Sequence, residues 1–414
     1  MTWLSLPARN VLRHLRRSLY AGVILSVSLA ALGLFDGFTN FLHTAVREMV
    51  IYSSGSGHLQ ISTADSAAGD ASEPGSALID GDTAQVIDEM LRADPRVVVV
   101  APKLGVTGLL SNGEKSVPFR AVGMRPQDRR AILGQAEGVI ARMVAGELRE
   151  APMPPHGIRL ANGLAGILDL EEGESVVALT STLDGLVNAL DFELTGIFLV
   201  PQAELSGLLA DMTLARAQGL YDTAAVDRVA VVLTRGTDAA QFAADLAPRL
   251  AELPGEIVVQ TWSERDPLYD SVTSLFAAIF SFMFTIILVI IGLSVTITVS
   301  MSVAERTREI GAMRALGLTR PGLVILVSTE CAILGVASAA IGTLLFSLGA
   351  HMVTAQELSW QPPLFALRMP ISIQEDWFQF ALIAASLVAL MTLAGALATV
   401  RAARRPIVDA LGHH

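Results

Sequence analysis

Glu305-Arg306-Thr307-Arg308-Glu309-Ile310-Gly311-Ala312-Met313-Arg314-Ala315-Leu316-Gly317-Leu318-Thr319-Arg320 is a short charged stretch held between two very apolar ones. Read as a helix, it sets Val303, Ile310, Met313 and Leu316 on or near one stripe. Glu305 with Arg308, and Arg306 with Glu309, then form opposite-charge pairs three residues apart. Such a helix lies flat at a membrane surface. Gly311 and Gly317 remove side chains where another backbone could approach closely, and Pro321 makes the chain begin afresh. The same residues also suit a basic loop that only fixes topology.

Working outward, Ser271 to Ala304 contains no charged residue and is longer than the roughly 20 residues a bilayer crossing needs, so its excess predicts a stalk beyond the membrane. Pro321 to Ala350 and Trp377 to Val400 read as the third and fourth spans, with Gly335, Ala339 and Gly342 small enough for close helix packing. At the other end, Arg9, Arg13, Arg16 and Arg17 among Leu and Val predict an interfacial amphipathic helix, followed by the apolar run Ser18 to Phe35. Ser28-Leu29-Ala30 fits a signal cleavage site. The run continues in helical register to Val46, however, and three more spans follow, which favours an uncleaved first span. Arg401, Arg404 and Arg405 close the fourth span, so basic residues flank both ends and the central loop, and all three are expected in the cytoplasm.

The composition agrees with a membrane protein: 414 residues, 52% hydrophobic, 17% charged, mean hydropathy +0.53. Its net charge of −11 is unevenly spread. Between Phe41 and Asp270 there are 17 basic against 32 acidic residues, net −15, while the remainder has 12 basic against 8 acidic, net +4. An acidic domain without a basic cluster argues against nucleic acid as a partner. Cys331 is the only cysteine, so no intrachain disulfide forms. The sequence has no G-x-x-x-x-G-K-[ST] phosphate loop, and its only lysines, Lys103 and Lys115, fall in the acidic domain. There is no H-E-x-x-H, the seven histidines are scattered, and no catalytic or metal residues are assigned.

Within the acidic domain, Gly55-Ser56-Gly57-His58-Leu59-Gln60-Ile61 reads as a turn entering a strand, and Thr63 to Asp82 as a mobile Ala/Ser/Gly/Asp loop. Helices are predicted over 83–93, 126–133, 158–168, 201–212 and 238–253, with Pro248 awkward in the last. Strands are predicted over 96–100, 119–123, 175–181, 192–200, 228–234 and 256–261. Glu150 to Gly157, with Pro152, Pro154 and Pro155, reads as a rigid linker between two subdomains.

The Glu305–Gly317 pattern closely resembles the cytoplasmic coupling segment of the FtsX-like ABC transporter permeases, the family that includes the lipoprotein-releasing permeases LolC and LolE and the membrane part of MacB. The Gly57–Ile61 junction, the Leu160–Leu168 and Phe192–Phe198 stretches and the Thr261-Trp262 exit also look like LolC and LolE, so the resemblance covers most of the chain. It implies a MacB-like topology without a fused ATPase: four transmembrane helices, with a large α+β periplasmic domain between the first and second. The expected division is an amphipathic helix at 1–17, first span and start of stalk at 18–41, periplasmic domain at 42–270 and second span with stalk at 271–304. A coupling helix at 305–320, third span at 321–350, periplasmic loop at 351–376, fourth span at 377–400 and cytoplasmic tail at 401–414 complete it.

By the same resemblance, Glu305, Arg306, Arg308, Glu309, Ile310, Gly311, Met313, Arg314 and Gly317 couple the chain to a separate ABC ATPase, which would hold ATP and Mg while this chain binds no cofactor. The expected partners are that ATPase, a second permease copy or paralogue, lipidated or amphipathic cargo and a periplasmic carrier. The expected place is a bacterial inner membrane. Extracting an acyl chain from a bilayer costs roughly 0.8 kcal/mol per CH₂. By analogy with LolC and LolE, cargo then enters sideways through an apolar cavity lined by Phe35, Phe38, Phe41, Phe276, Phe280 and Met283; packing among themselves or facing lipid is the plainer alternative for each. Glu330, the acid well inside a span, reads as hinge or packing chemistry, with cargo contact as the alternative. Two other functions fit the same chain: an FtsX-like scaffold that transmits ATPase motion to a periplasmic enzyme, and a non-transporting membrane receptor.

Overall fold

The computed structural model describes residues 15–68, 78–138, 140–142, 145, 153–200, 203–265, 267–305, 319–356, 359–360 and 369–403. Two compact units divide the chain, one formed by residues 1–43, 272–358 and 371–414, the other by residues 44–271 and 359–370. Helix α1 (Leu15–Glu48) runs into a π-helical turn, Met49–Ser53. Next come β1 (Leu59–Thr63), α2 (Ala64–Ala68), α3 (Gly81–Arg92), β2 (Val97–Ser111), β3 (Ser116–Met124) and α4 (Pro126–Leu133). They are followed by β4 (Gly157–Ala161), α5 (Asn162–Leu168), β5 (Ser175–Ser181), β6 (Val187–Phe198), α6 (Ala203–Ser206), β7 (Leu209–Thr213) and α7 (Leu214–Tyr221). Strand β8 (Arg228–Leu233), α8 (Ala239–Leu250), β9 (Ile257–Thr261) and α9 (Trp262–Arg265) lead to the long helix α10 (Pro267–Glu305). Helices α11 (Arg320–Ala355) and α12 (Trp377–Ala403) flank two short strands, β10 (Ser359–Trp360) and β11 (Met369–Pro370).

The α+β unit is built on a nine-stranded sheet in the order β3-β7-β4-β6-β5-β2-β8-β1-β9. Strand β2 is its spine: it pairs with β8 over Val97–Lys103, with β3 over Lys103–Ser111 and with β5 over Leu109–Ser111. The β2–β3 pairing closes β2, β3, β7, β4, β6 and β5 into a ring, and β8, β1 and β9 continue from it. Gly108 permits the β5 approach, since a Cβ there would run into the Leu179 carbonyl. Helices lay their apolar stripes on the sheet, α3 with Ile87 and Leu91 and α8 with Phe242, Leu246 and Leu250, all buried against strand residues such as Leu59, Ile61 and Val231. Each such burial contributes roughly 1.5–3 kcal/mol. Both helices begin at an aspartate cap: Asp80 accepts from the Asp82 N–H, and Asp238 from those of Ala240 and Gln241.

Strands from both sides of Glu150–Gly157 alternate in the sheet, so the sheet itself is not divided at that linker, whose residues 150–152 lie outside the described ones. The helix expected over 158–168 is a strand and then a helix. Ile158 and Leu160 alternate into the core on β4, and Leu164, Ala165 and Leu168 take over with helical spacing on α5. The helix expected over 201–212 is also corrected: 203–206 makes one short turn, and 209–213 is a strand held between β3 and β4. The stretch expected to be one loop over 63–82 contains α2, and Ile79 bridges to Val226, with 69–77 outside the described residues. Pro248 sits inside α8 without ending it.

Gly22–Ser53, whose residues from Thr44 onward belong to the α+β unit, and Thr273–Ile297, Pro321–Ala355 and Trp377–Val400 of the other unit are long and apolar enough to cross a membrane. Small residues bring the helices close. A Cβ on Gly342 of α11 would come within 3.0 Å of Leu29 Cδ2 and the Ser26 carbonyl on α1, and Ser26 Oγ donates to the Ser338 carbonyl at 2.8 Å. Gly335 meets Val388 and Met391 of α12 in the same way, while Gly33 of α1 faces the ring of Phe380.

Candidate functional site

The aromatic residues assigned to a cargo cavity do not form one group. Phe35 of α1 stacks on Phe280 of α10 with ring centroids 6.0 Å apart, and Phe280 stacks in turn on Phe284, also at 6.0 Å. Phe38 and Phe41 pair with each other along α1 at 6.4 Å, Phe41 being buried. Phe276 and Met283 lie half-buried on α10. A second aromatic cluster, which sequence reasoning left unnamed, joins α11 to α12: Phe346 stacks on Phe380 at 4.6 Å, with Trp377 edge-on to both.

Helices α1 and α12 also share a polar contact. Asp36 appears in the sequence as an acid near the outer boundary, where hydration would suffice, yet the structure buries it at 6% exposure. Gln379 Nε2 of α12 donates to Asp36 Oδ1 at 2.8 Å, and Asn40 Nδ2 donates to Oδ2 at 3.4 Å. A buried carboxyl needs such donors, because leaving it unpaired costs more than the bonds return. The signal was the acid itself in an apolar run; its partner, 343 positions away, carried none.

Of the nine residues expected to couple the chain to an ATPase, Glu305 is the last residue of α10, whereas Arg306, Arg308, Glu309, Ile310, Gly311, Met313, Arg314 and Gly317 lie outside the described residues. Across that interval α11 restarts with Thr319 as its cap, its hydroxyl accepting from the Gly322 N–H. Glu330 is half-buried on α11, next to the buried Cys331.

The α+β unit holds two perturbed bases. Lys103, one of two lysines in the chain, is 4% exposed in β2, and its Nζ donates to the Ser54 carbonyl at 3.4 Å. Burial pushes its ammonium down to about 7, with Arg228 and Arg129 adding repulsion that Asp227 and Asp211 partly offset. His58 is pushed down to about 4 by burial and by Arg47, which keeps Nδ1 free to accept from the Leu233 N–H at 3.1 Å. That bond, and the close approach of Gly57 to the Val231 backbone at φ +71°, make the Gly57-His58 turn a structural junction. Among the described residues, no group of three or more His, Cys, Asp or Glu is placed to hold a metal ion.

Residues 281–407 match the FtsX-like permease C-terminal family. That match covers less than a third of the chain. It takes in most of α10, the whole charged segment, α11 and α12, and so includes all nine residues expected to couple and Glu330, while Phe276 and Phe280 precede it. Among solved structures, the periplasmic region of MacB from Actinobacillus actinomycetemcomitans is similar at 12% identity and a TM-score of 0.35, over 50% of this chain and 89% of that one. The extracellular domain of the noncanonic ABC-type transporter YknZ from Gram-positive bacteria is similar at 11% identity and a TM-score of 0.29, over 42% of this chain and 87% of that one. No curated protein matches the chain.

Proposed function

We propose that this chain is the permease subunit of an ABC transporter in a bacterial inner membrane, coupling a partner ATPase to the extraction or translocation of a lipid-anchored or amphipathic cargo. The observation that carries this reading is the FtsX-like permease match over 281–407, because it brackets the charged segment between two apolar helices. With no phosphate loop in the sequence, ATP and Mg belong to the partner. The Glu305–Gly317 segment docks on that partner and moves with it. Helix α10 carries the motion onward: its 39 residues span about 58 Å, well beyond the roughly 30 Å of bilayer hydrocarbon.

Cargo enters from the side, between the outer parts of α1 and α10. An ordinary acyl chain would lose on the order of 10 kcal/mol if passed through water, so its path stays apolar. In the conformation described, the Phe35–Phe280 stack occupies that seam, and passage requires the two rings to part. A second permease copy or paralogue completes the transporter, and a periplasmic carrier receives the cargo.

The test is purification of the full chain from its native membrane in mild detergent, followed by identification of bound proteins and reconstitution of the complex in lipid nanodiscs. An ABC ATPase should copurify, and Gly311→Leu should crowd the docking surface and reduce its retention and its coupled hydrolysis by about tenfold or more. Absence of any ATPase from the wild-type complex, or full coupling in Gly311→Leu, would overturn the assignment. Coupled hydrolysis without release of lipidated cargo would move the reading to the signalling scaffold.

A further inference from the structure

One face of the large sheet carries polar residues at positions where the fold excludes water. On β1, Leu59 and Ile61 point into the core with α3 and α8, so Gln60 and Ser62 alternate to the opposite face. The register extends that face across three more strands. Gln60 is opposed to Ala230 on β8 and to Gln260 on β9, and Lys103 on β2 is opposed to Arg228, two residues along β8 from Ala230. Gln60 is 4% exposed and Ser62 0%, yet among the described residues Gln60 Oε1 and Ser62 Oγ have no hydrogen-bond partner. Buried polar atoms left without partners are rare and costly, so each is hydrogen-bonding capacity open to a guest.

The same face carries cations whose partners are neutral. Lys103 Nζ donates to the Ser54 carbonyl at 3.4 Å, and Arg265 Nη1 of α9 donates to Gln260 Oε1 at 3.3 Å. Among the described residues, neither cation lies within ion-pair distance of a carboxylate, because the neighbouring acids are engaged elsewhere. Asp227 Oδ2 accepts from Arg228 Nε and Nη2 at 3.0 and 2.6 Å, Asp211 pairs with Arg129 and Arg159, and Glu264 accepts from the Thr261 N–H. Arg228 and Arg265 are partly exposed and form a rim, while Lys103, Gln60 and Ser62 are buried and form the floor.

Water would satisfy Gln60 and Ser62 but leave Lys103 and Arg265 without an anion, whereas a bare anion would set its charge against Gln60 Oε1, which only accepts. A guest that is anionic at one end and a hydrogen-bond donor at the other meets both demands. We propose that this face binds a hydroxyl-bearing phosphate ester of the glycerol phosphate type, its phosphate held by Lys103, Arg228, Arg265 and Ser62 Oγ and its hydroxyl donating to Gln60 Oε1. Ser54 directly follows the apolar stretch Gly22–Ser53, and Arg265 precedes the one starting at Thr273 by eight residues, so an anionic lipid headgroup is one source of this chemistry and the free ester the other. The site lies within the α+β unit and does not depend on the cargo path proposed above.

The chain has two lysines, so ¹³C labelling at lysine gives two signals, with the exposed Lys115 as internal reference for Lys103. Lys115→Arg assigns them. The full chain in nanodiscs of phosphatidylcholine, whose head has no hydrogen-bond donor, is titrated with glycerol 3-phosphate, inorganic phosphate and glycerol, and is also prepared in nanodiscs containing phosphatidylglycerol. With the free ester as source, glycerol 3-phosphate should shift the Lys103 signal saturably and leave Lys115 in place, inorganic phosphate should bind at least about tenfold more weakly, and glycerol should move neither. With a lipid as source, the shifted Lys103 position should appear in phosphatidylglycerol nanodiscs before any ligand is added. Arg265→Gln should weaken either response by about tenfold while the Lys115 signal stays in place, which shows the fold intact, and Ser62→Ala should weaken it several-fold. A Lys103 signal unmoved by both glycerol 3-phosphate and phosphatidylglycerol, a shift with glycerol alone, inorganic phosphate binding as tightly as the ester, or an unchanged response in Arg265→Gln would each overturn the proposal.

Discussion

Lys103 carries a pH dependence whose sign follows from its burial. Its folded-state pKa, near 7, lies below the ordinary lysine value of 10.5. Between those two values the unfolded chain holds a proton that the folded chain has released, so stability rises with pH through the window. Below pH 7 both states hold it, and the cost of a buried ammonium is fully present. Over pH 7 to 9 the wild-type chain should therefore gain stability relative to Lys103→Met by at most about 1.4 kcal/mol per pH unit. Thermal unfolding of both proteins in nanodiscs across that range checks it, and parallel profiles would rule it out. In the sequence this lysine served only to argue against ATP binding. Pro102 and Gly105 on either side made the stretch look like the end of a strand, and the structure runs β2 straight through them because β3 and β8 supply partners on both edges. Asp36 was equally opaque, since nothing local shows that Gln379 reaches it.

At the level of elements, the apolar helices were legible because a long uncharged run has few other fates, whereas short elements in the sheet were not. Leu209–Thr213 is a strand only because β3 and β4 lie on either side of it, and no five-residue pattern encodes two distant neighbours. Helix α7, absent from the sequence reading, buries Ala217 and Leu220 through a stretch too short to show a clear period. Packing between the long helices depends on particular glycines, and two of them separate that effect from helix propensity. Gly342→Leu would press into Leu29 and the Ser26 carbonyl and should cost about 2 kcal/mol or more. Gly292 on α10 has no atom within 4 Å of a Cβ, so Gly292→Ala should stay within about 0.5 kcal/mol or stabilise slightly. Denaturant unfolding of the full chain in bicelles measures both, and a neutral Gly342→Leu would contradict the close α1–α11 packing.

For the molecule as a whole, the division of charge sets an orientation. The stretch from Phe41 to Asp270 has net charge −15, while the rest, net +4, places eleven of its twelve arginines at the chain ends and in the Glu305–Arg320 segment, the other being Arg368 in the loop between the last two spans. Basic residues beside short loops are retained in the cytoplasm, so Thr319 is expected inside and the acidic domain outside. Both positions suit labelling: Thr319 is exposed at the cap of α11, and Glu114 is exposed in the turn between β2 and β3. In a Cys331→Ser background, which removes the only native thiol, Glu114→Cys and Thr319→Cys are treated with a membrane-impermeant maleimide in intact spheroplasts. Replacing the Thr319 cap costs about 1 kcal/mol, too little to unfold a four-helix membrane unit, so accessibility remains the quantity read. Position 114 should label in intact cells and position 319 only after lysis. The reverse pattern would invert the protein in its membrane, and with it the side on which an ATPase could dock.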